Sequence, residues 1–187
     1  MPNSQWTKRI LAEGLKDLMQ TTYLSKLSIG DICAYCNISR NTFYYHFKDK
    51  YDLVSWIFST ETMAHMTNFS DYEHWADGLL SLCHYLQKNR KFYIHAMDSE
   101  GQNSFSSYLM SFYKNLMVHC VQQIDRDASL TEEETDFIAR FYTHALVGVL
   151  LDWAKDGMKT DPAPAVERVR LLVNGELFQT MLNGKKD

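Results

Sequence analysis

Residues 28–50 read Ser28-Ile29-Gly30-Asp31-Ile32-Cys33-Ala34-Tyr35-Cys36-Asn37-Ile38-Ser39-Arg40-Asn41-Thr42-Phe43-Tyr44-Tyr45-His46-Phe47-Lys48-Asp49-Lys50. Two short helices and a corner follow from this stretch. Ser28 is a good N-cap, Asp31 stands at the third helical position, and Ile29, Ile32, Cys33 and Cys36 form one apolar stripe. Asn37 falls where that helix must stop, because asparagine tolerates the left-handed conformation better than most residues. Ile38 plugs the gap between the helices, and Ser39 caps the second one. Within it Phe43 and Phe47, four apart, point inward. Arg40, Asn41, Thr42, Tyr44 and Tyr45 are left toward solvent.

A short helix offering donors and aromatic hydroxyls together fits the major groove, with its N-terminal residues nearest the base edges. Arg40 suits guanine and Asn41 suits adenine; Thr42 and Tyr45 suit phosphate. Asp49 caps the next helix, and Lys50 in its first turn adds a cation for phosphate. The alternative is a helical corner whose polar face is merely solvated. Two adjacent exposed tyrosines weigh against it, since exposed aromatics usually have a use.

Outward from this segment the chain reads as all-α, about nine helices long. The apolar spacing predicts helices near 4–21, 29–35, 40–46, 50–67, 71–88, 89–98, 104–124, 132–156 and 163–182. There is no alternating strand pattern, no repeat and no low-complexity segment, and the three prolines lie at position 2 and at 162 and 164. Thr131-Glu132-Glu133-Glu134 is a capping box, Gly157 can end the helix it follows, and Asp161-Pro162 restarts the chain. The expected organisation is an N-terminal three-helix helix-turn-helix domain, residues 1–50, and a C-terminal helical regulatory and dimerisation domain, residues 51–187.

The totals agree. A chain of 187 residues with 45% hydrophobic and 22% charged residues is long enough and apolar enough to bury a core. No apolar run reaches the ~20 residues of a membrane helix. Met1 to Trp6 lack the pattern of a signal peptide, so a cytoplasmic chain with reduced cysteines is expected. Net charge is −4, yet residues 1–52 hold seven Lys/Arg against five Asp/Glu. The acidic excess lies in the remainder, an asymmetry that modestly favours a DNA-facing N-terminal unit.

The stretch Ile38 to Lys50 resembles the recognition region of TetR-family transcriptional regulators: small apolar, Ser, basic, small, Thr, apolar, Tyr, aromatic, His, Phe, Lys, any, Lys. Ile29-Gly30-Asp31-Ile32-Cys33 is similar to that family's apolar-x-Asp-Ile-Ala. Asn37 replaces the usual glycine, and Cys33 and Cys36 replace alanines. The resemblance, over about residues 6–58, implies an all-helical homodimer with a ligand-sensing C-terminal domain; it gives His46 a role supporting or touching the backbone, and Ser28, Tyr44 and Lys48 are further DNA-binding candidates. Further on, Lys91-Phe92-Tyr93, Gly101 to Phe105, Tyr108-Leu109, Phe141-Tyr142, Gly148 and Trp153 to Met158 resemble a narrower group related to a dihydroxyacetone-kinase activator of lactic bacteria. That resemblance implies that some relatives activate transcription and take their signal from a partner protein.

Other chemistries find little support. Cys33 and Cys36 have Cys-x-x-Cys spacing but no second ligand pair nearby, so they read as core fillers, as do Cys83 and Cys120. The seven histidines are dispersed, and there is no phosphate loop, nucleophile elbow or carboxylate pair, so neither enzyme nor metal nor cofactor is expected. The helix at 132–156 is apolar on more than one side. Phe141, Gly148, Val149 and Trp153, with Val169 and Leu177 from the last helix, are the expected dimer contacts. Phe92, Tyr93, Phe105, Tyr108, Phe112, Tyr113 and His144 are candidates to line a pocket for a small-molecule or protein effector. The partners predicted are therefore double-stranded DNA, a second copy of the chain and that effector, with no membrane.

Overall fold

The computed structural model describes residues 4–66, 75–98, 104–125, 127 and 129–173, and among them every regular element is helical. In chain order these are α1 (Ser4–Leu18), a 3-10 turn (Leu24–Lys26), α2 (Ile29–Cys36), α3 (Arg40–His46), α4 (Lys50–Met66), α5 (Trp75–Lys88), α6 (Arg90–Met97), α7 (Phe105–Ile124), α8 (Glu132–Lys155) and α9 (Ala163–Val173). The first helix stops at Leu18, three residues short of expectation. Its last turn tightens there: the Gln20 amide donates to Asp17 and the Thr21 amide to Leu18. The 3-10 turn was not foreseen.

The corner forms as its residues dictate. Ser28 and Asp31 close a reciprocal capping box on α2. Asn37 takes φ 52° and ψ 43°, its amide facing the carbonyls of Ala34 and Cys33, and the Ile38 amide reaches Cys33 O at 2.9 Å. Those bonds satisfy carbonyls that the end of a helix would otherwise orphan. The Ser39 hydroxyl accepts from the Thr42 amide at 3.1 Å and starts α3. Phe43 and Phe47 are buried, joining Leu11, Leu15, Ile32, Leu53 and Val54 in the core. Each such side chain contributes about 1.5–3 kcal/mol of burial. That is what fixes α3 on α1, α2 and α4.

Two further features set the head. Gly14 lets α1 and α2 cross closely, for a Cβ there would meet Cys36 Sγ at 2.2 Å. Lys50 departs from expectation. Its Nζ lies 2.7 Å from the carbonyls of both Leu24 and Leu27, and 3.5 Å from Ser25 O. An ammonium has three donors, and these carbonyls occupy them, so Lys50 staples the α1–α2 connection to α4 rather than waiting for a phosphate. Burial lowers its pKa from the ordinary value, and the Asp49 charge opposes that.

Beyond the head, α7 and α8 pack along each other, and α5, α6 and α9 close around them. Phe58 of α4 carries the core onward, with Tyr93, Phe105, Tyr108 and Phe112 set around it at centroid distances of 5.5–6.2 Å. Thr131 and Glu134 make the expected capping box on α8. At its other end Gly157 takes φ 81°, and Met158, unforeseen, takes φ 51° with a fully buried side chain.

Two outcomes follow for the head. Asn37→Gly is expected to keep or raise the thermal midpoint, while Asn37→Val lowers stability by about 1–2 kcal/mol, because a branched residue resists φ above zero. Lys50→Met removes charge-assisted bonds from buried carbonyls and is expected to cost about 1.5–3 kcal/mol, read by urea unfolding of the whole chain.

Candidate nucleic-acid interface

The exposed side of α3 is polar and aromatic. Tyr45 is 82% exposed and Tyr44 57%, and Arg40 and Asn41 also face solvent. Among the described residues Arg40, Asn41, Tyr45 and Lys48 make no side-chain hydrogen bond or ion pair. Their donors are free for an outside partner. Tyr44 is braced edge-on against Phe43 at 5.7 Å, and the Tyr45 ring meets His46 at 4.9 Å. His46 is half-buried between Tyr45 and Phe47, a brace rather than a free contact.

Of the remaining interface candidates, Ser28 and Thr42 have their hydroxyls already engaged. Ser28 Oγ donates to Asp31 Oδ2 at 2.7 Å and accepts from the Asp31 amide. Thr42 Oγ1 lies 2.8 Å from Ser39 Oγ. Lys48 is exposed, its amide held by Asp52. Asp49 Oδ1 accepts from the amides of Tyr51 and Asp52, as its capping role requires. The sequence reading missed two neighbours. Lys8 lies over the rings of Phe47 and Trp56, 5.5 and 5.7 Å from their centroids. Gly30 leaves the space in which the Arg40 guanidinium lies.

The candidates for effector binding divide. Phe92, Tyr93 and Phe105 are buried, and Tyr108 and Phe112 pack on Phe58, so these rings fill the core rather than line a pocket. His144 stands exposed on the outer side of α8, its Nδ1 donating to Arg140 O at 2.8 Å. It is turned away from the aromatic cluster. Tyr113 of this set borders a cleft, of about 80 Å³, between α5, α8 and α9, with Leu82, Cys83, Leu150, Trp153 and Val166. Burial holds the Cys83 thiol up near 12 and the Cys36 thiol near 11, so both are neutral and unreactive at ordinary pH.

The proposed pairing residues sit on an open face. Phe137 and Phe141 are each 63% exposed and Val149 49%, and Ala145 completes an i, i+4 row along α8. A Cβ on Gly148 would meet nothing within 4 Å. Trp153 and Val169 are half-buried at the cleft edge, and Leu172 of α9 is exposed beside them. Leu177 lies outside the described residues.

Polar contacts tie the two parts of the molecule together. Lys16 of α1 pairs with Glu61 of α4 at 2.8 Å, the Tyr85 hydroxyl of α5 donates to Glu61, and Tyr85 and Tyr93 hydroxyls lie 3.2 Å apart. His95 of α6 donates from Nδ1 to Met19 O at 2.7 Å, with its ring 4.3 Å from Tyr23.

The chain was compared with known proteins. Residues 16–56 match the family model described as bacterial regulatory proteins, tetR family, and residues 73–175 match one described as a transcriptional regulator C-terminal region. The HTH-type dhaKLM operon transcriptional activator DhaS of Lactococcus lactis subsp. lactis is 31% identical over 153 residues, 80% of each chain. Among solved structures, the dihydroxyacetone kinase operon activator DhaS matches with a TM-score of 0.64 and 25% identity, over 91% of this chain and 96% of that one. NalD of Pseudomonas aeruginosa, the secondary repressor of the MexAB-OprM efflux pump, shares the fold at 19% identity, with a TM-score of 0.56 over 97% of this chain and 98% of that one. With both halves matched in order, and a relative aligned over most of its length, the chain belongs to the TetR family of bacterial transcriptional regulators, which are not enzymes.

Proposed function

We propose that this regulator binds DNA sequence-specifically as a homodimer on a palindromic operator, through residues 1–50, under control of a signal received by residues 51–187. The observation that carries the reading is the outward face of α3, where the side chains of Arg40, Asn41 and Tyr45 stand solvent-exposed with no hydrogen bond or ion pair among the described residues, on a helix anchored by Phe43 and Phe47. Two such helices about one DNA turn apart (~34–36 Å), or somewhat more, read two half-sites in successive major grooves.

The row Phe137, Phe141, Ala145, Val149 supports pairing of α8 with its symmetry mate. In an antiparallel, self-complementary contact centred near Ala145, each Phe141 meets the partner's Val149 level and each Phe137 the Trp153 level. Gly148 lets the two backbones approach. The α9 helices then complete a four-helix contact.

A second reading concerns the signal. A co-activator or adaptor whose C-terminal part binds a partner protein is favoured by the solid aromatic packing around Phe58. The cleft of about 80 Å³ is small beside the ~300–1,000 Å³ of ordinary ligand sites. The name of DhaS, an operon activator, favours activation of a target operon and fits either kind of signal. In either case the signal acts by binding one arrangement of the two heads better than the other.

Arg40→Ala is expected to relax base preference at one position of each half-site, at about 1–3 kcal/mol per contact. Lys48→Ala weakens binding to all duplexes alike and reduces the salt slope by about 1, while Lys50→Met leaves that slope unchanged. Selection from a random duplex pool followed by titration at several salt concentrations reads all three. For the dimer, Phe141→Arg is expected to give a folded monomer by sedimentation and to abolish tight operator binding; a variant that stays dimeric refutes the α8 pairing.

A further inference from the structure

Gly30 has no conformational duty. It lies in the first turn of α2 and is not among the residues with positive φ. A glycine at a helical position weakens the helix relative to alanine. Something other than the backbone therefore accounts for its place in this fold.

The space above it is taken. A Cβ built on Gly30 would stand 2.4 Å from Arg40 Nη2, 3.3 Å from Arg40 Cζ and 3.4 Å from Ser28 Oγ. The first distance is too short for any real contact, so the guanidinium lies directly on the glycine. Arg40 begins α3 and folds back across the first turn of α2. The Asp31 carboxylate, which feels the Arg40 charge, does not capture it. Asp31 Oδ2 is taken by the Ser28 amide at 2.8 Å and the Ser28 hydroxyl at 2.7 Å, and those bonds hold its pKa down more than the Arg40 charge does. Among the described residues the guanidinium lies against Gly30 within reach of the Asp31 charge, and it makes no hydrogen bond, so its donors are unspent.

We infer that Gly30 is a specificity-determining position of the DNA interface: it is the seat that lays the Arg40 guanidinium between α2 and α3 before DNA arrives. This rests on the DNA-binding reading above. A long, freely rotating side chain loses entropy when a partner fixes it, and a seat that restricts it in advance reduces that loss. A methyl at position 30 evicts the guanidinium toward the solvent side of α3. It then reaches a different set of base or phosphate atoms.

The test uses the full chain with Gly30→Ala, Arg40→Ala and the double variant, each carried through duplex selection and then titrated against the wild-type operator. Gly30→Ala is expected to melt at or above the wild-type temperature, because alanine favours the helix and the displaced group is a flexible tip. It should nevertheless bind the wild-type operator about tenfold more weakly, and its base preference should change at the positions that Arg40→Ala changes. The double variant should bind like Arg40→Ala alone, since the glycine acts only through that arginine. Wild-type affinity and preference in Gly30→Ala, or a loss that persists undiminished in the Arg40→Ala background, overturns the inference and leaves the DNA reading standing. A wild-type chain that enriches no duplex at all removes both.

Discussion

The molecule's business end depends on one backbone event, the left-handed turn at Asn37. With φ 52° there, α2 stops cleanly, Ile38 drops against the core, and Ser39 is placed to cap α3. Phe43 and Phe47 can then be buried only if Arg40, Asn41, Tyr44 and Tyr45 are not, because a seven-residue helix has two faces and one is spent on the core. Exposure of the recognition side is therefore a consequence of packing. Were Asn37 to continue the helix, α2 and α3 would merge and this division would vanish.

That locality explains what was legible in the sequence. The capping boxes at Ser28 and Thr131, the stop at Asn37, the inward phenylalanines and the open apolar row of α8 all rest on residues within four positions of one another, where spacing dictates geometry. Contacts across the fold were not legible. Lys50 was read as a phosphate cation because its helix-terminal place suggests one; its carbonyl partners lie 23 to 26 residues earlier and only the tertiary fold delivers them. The aromatic set at 92–113 offers candidates for a pocket lining, but aromatics at helical spacing more often fill a core, and periodicity cannot separate the two. Phe58, from another helix, decides the matter. Gly30 carried no signal, since nothing near it in sequence announces that Arg40 folds back.

The same tertiary contacts suggest how the parts communicate. Glu61 is shared between Lys16 of the head and Tyr85 behind it, and His95 of α6 holds the carbonyl at the end of α1. These bonds run from α1 through α4 to α5 and α6, so α6 is tied to the head at two points. Net charge differs between the same parts: the head is slightly basic and the remainder acidic.

The outward face of α3 is the surface that we propose meets DNA. A photo-crosslinking residue placed at Tyr45, with a control at Phe137 on α8, tests it directly with a duplex enriched from a random pool. Protein–DNA adducts are expected from position 45, confined to the half-sites, and protein–protein adducts alone from position 137. DNA adducts from 137 with none from 45 would contradict it.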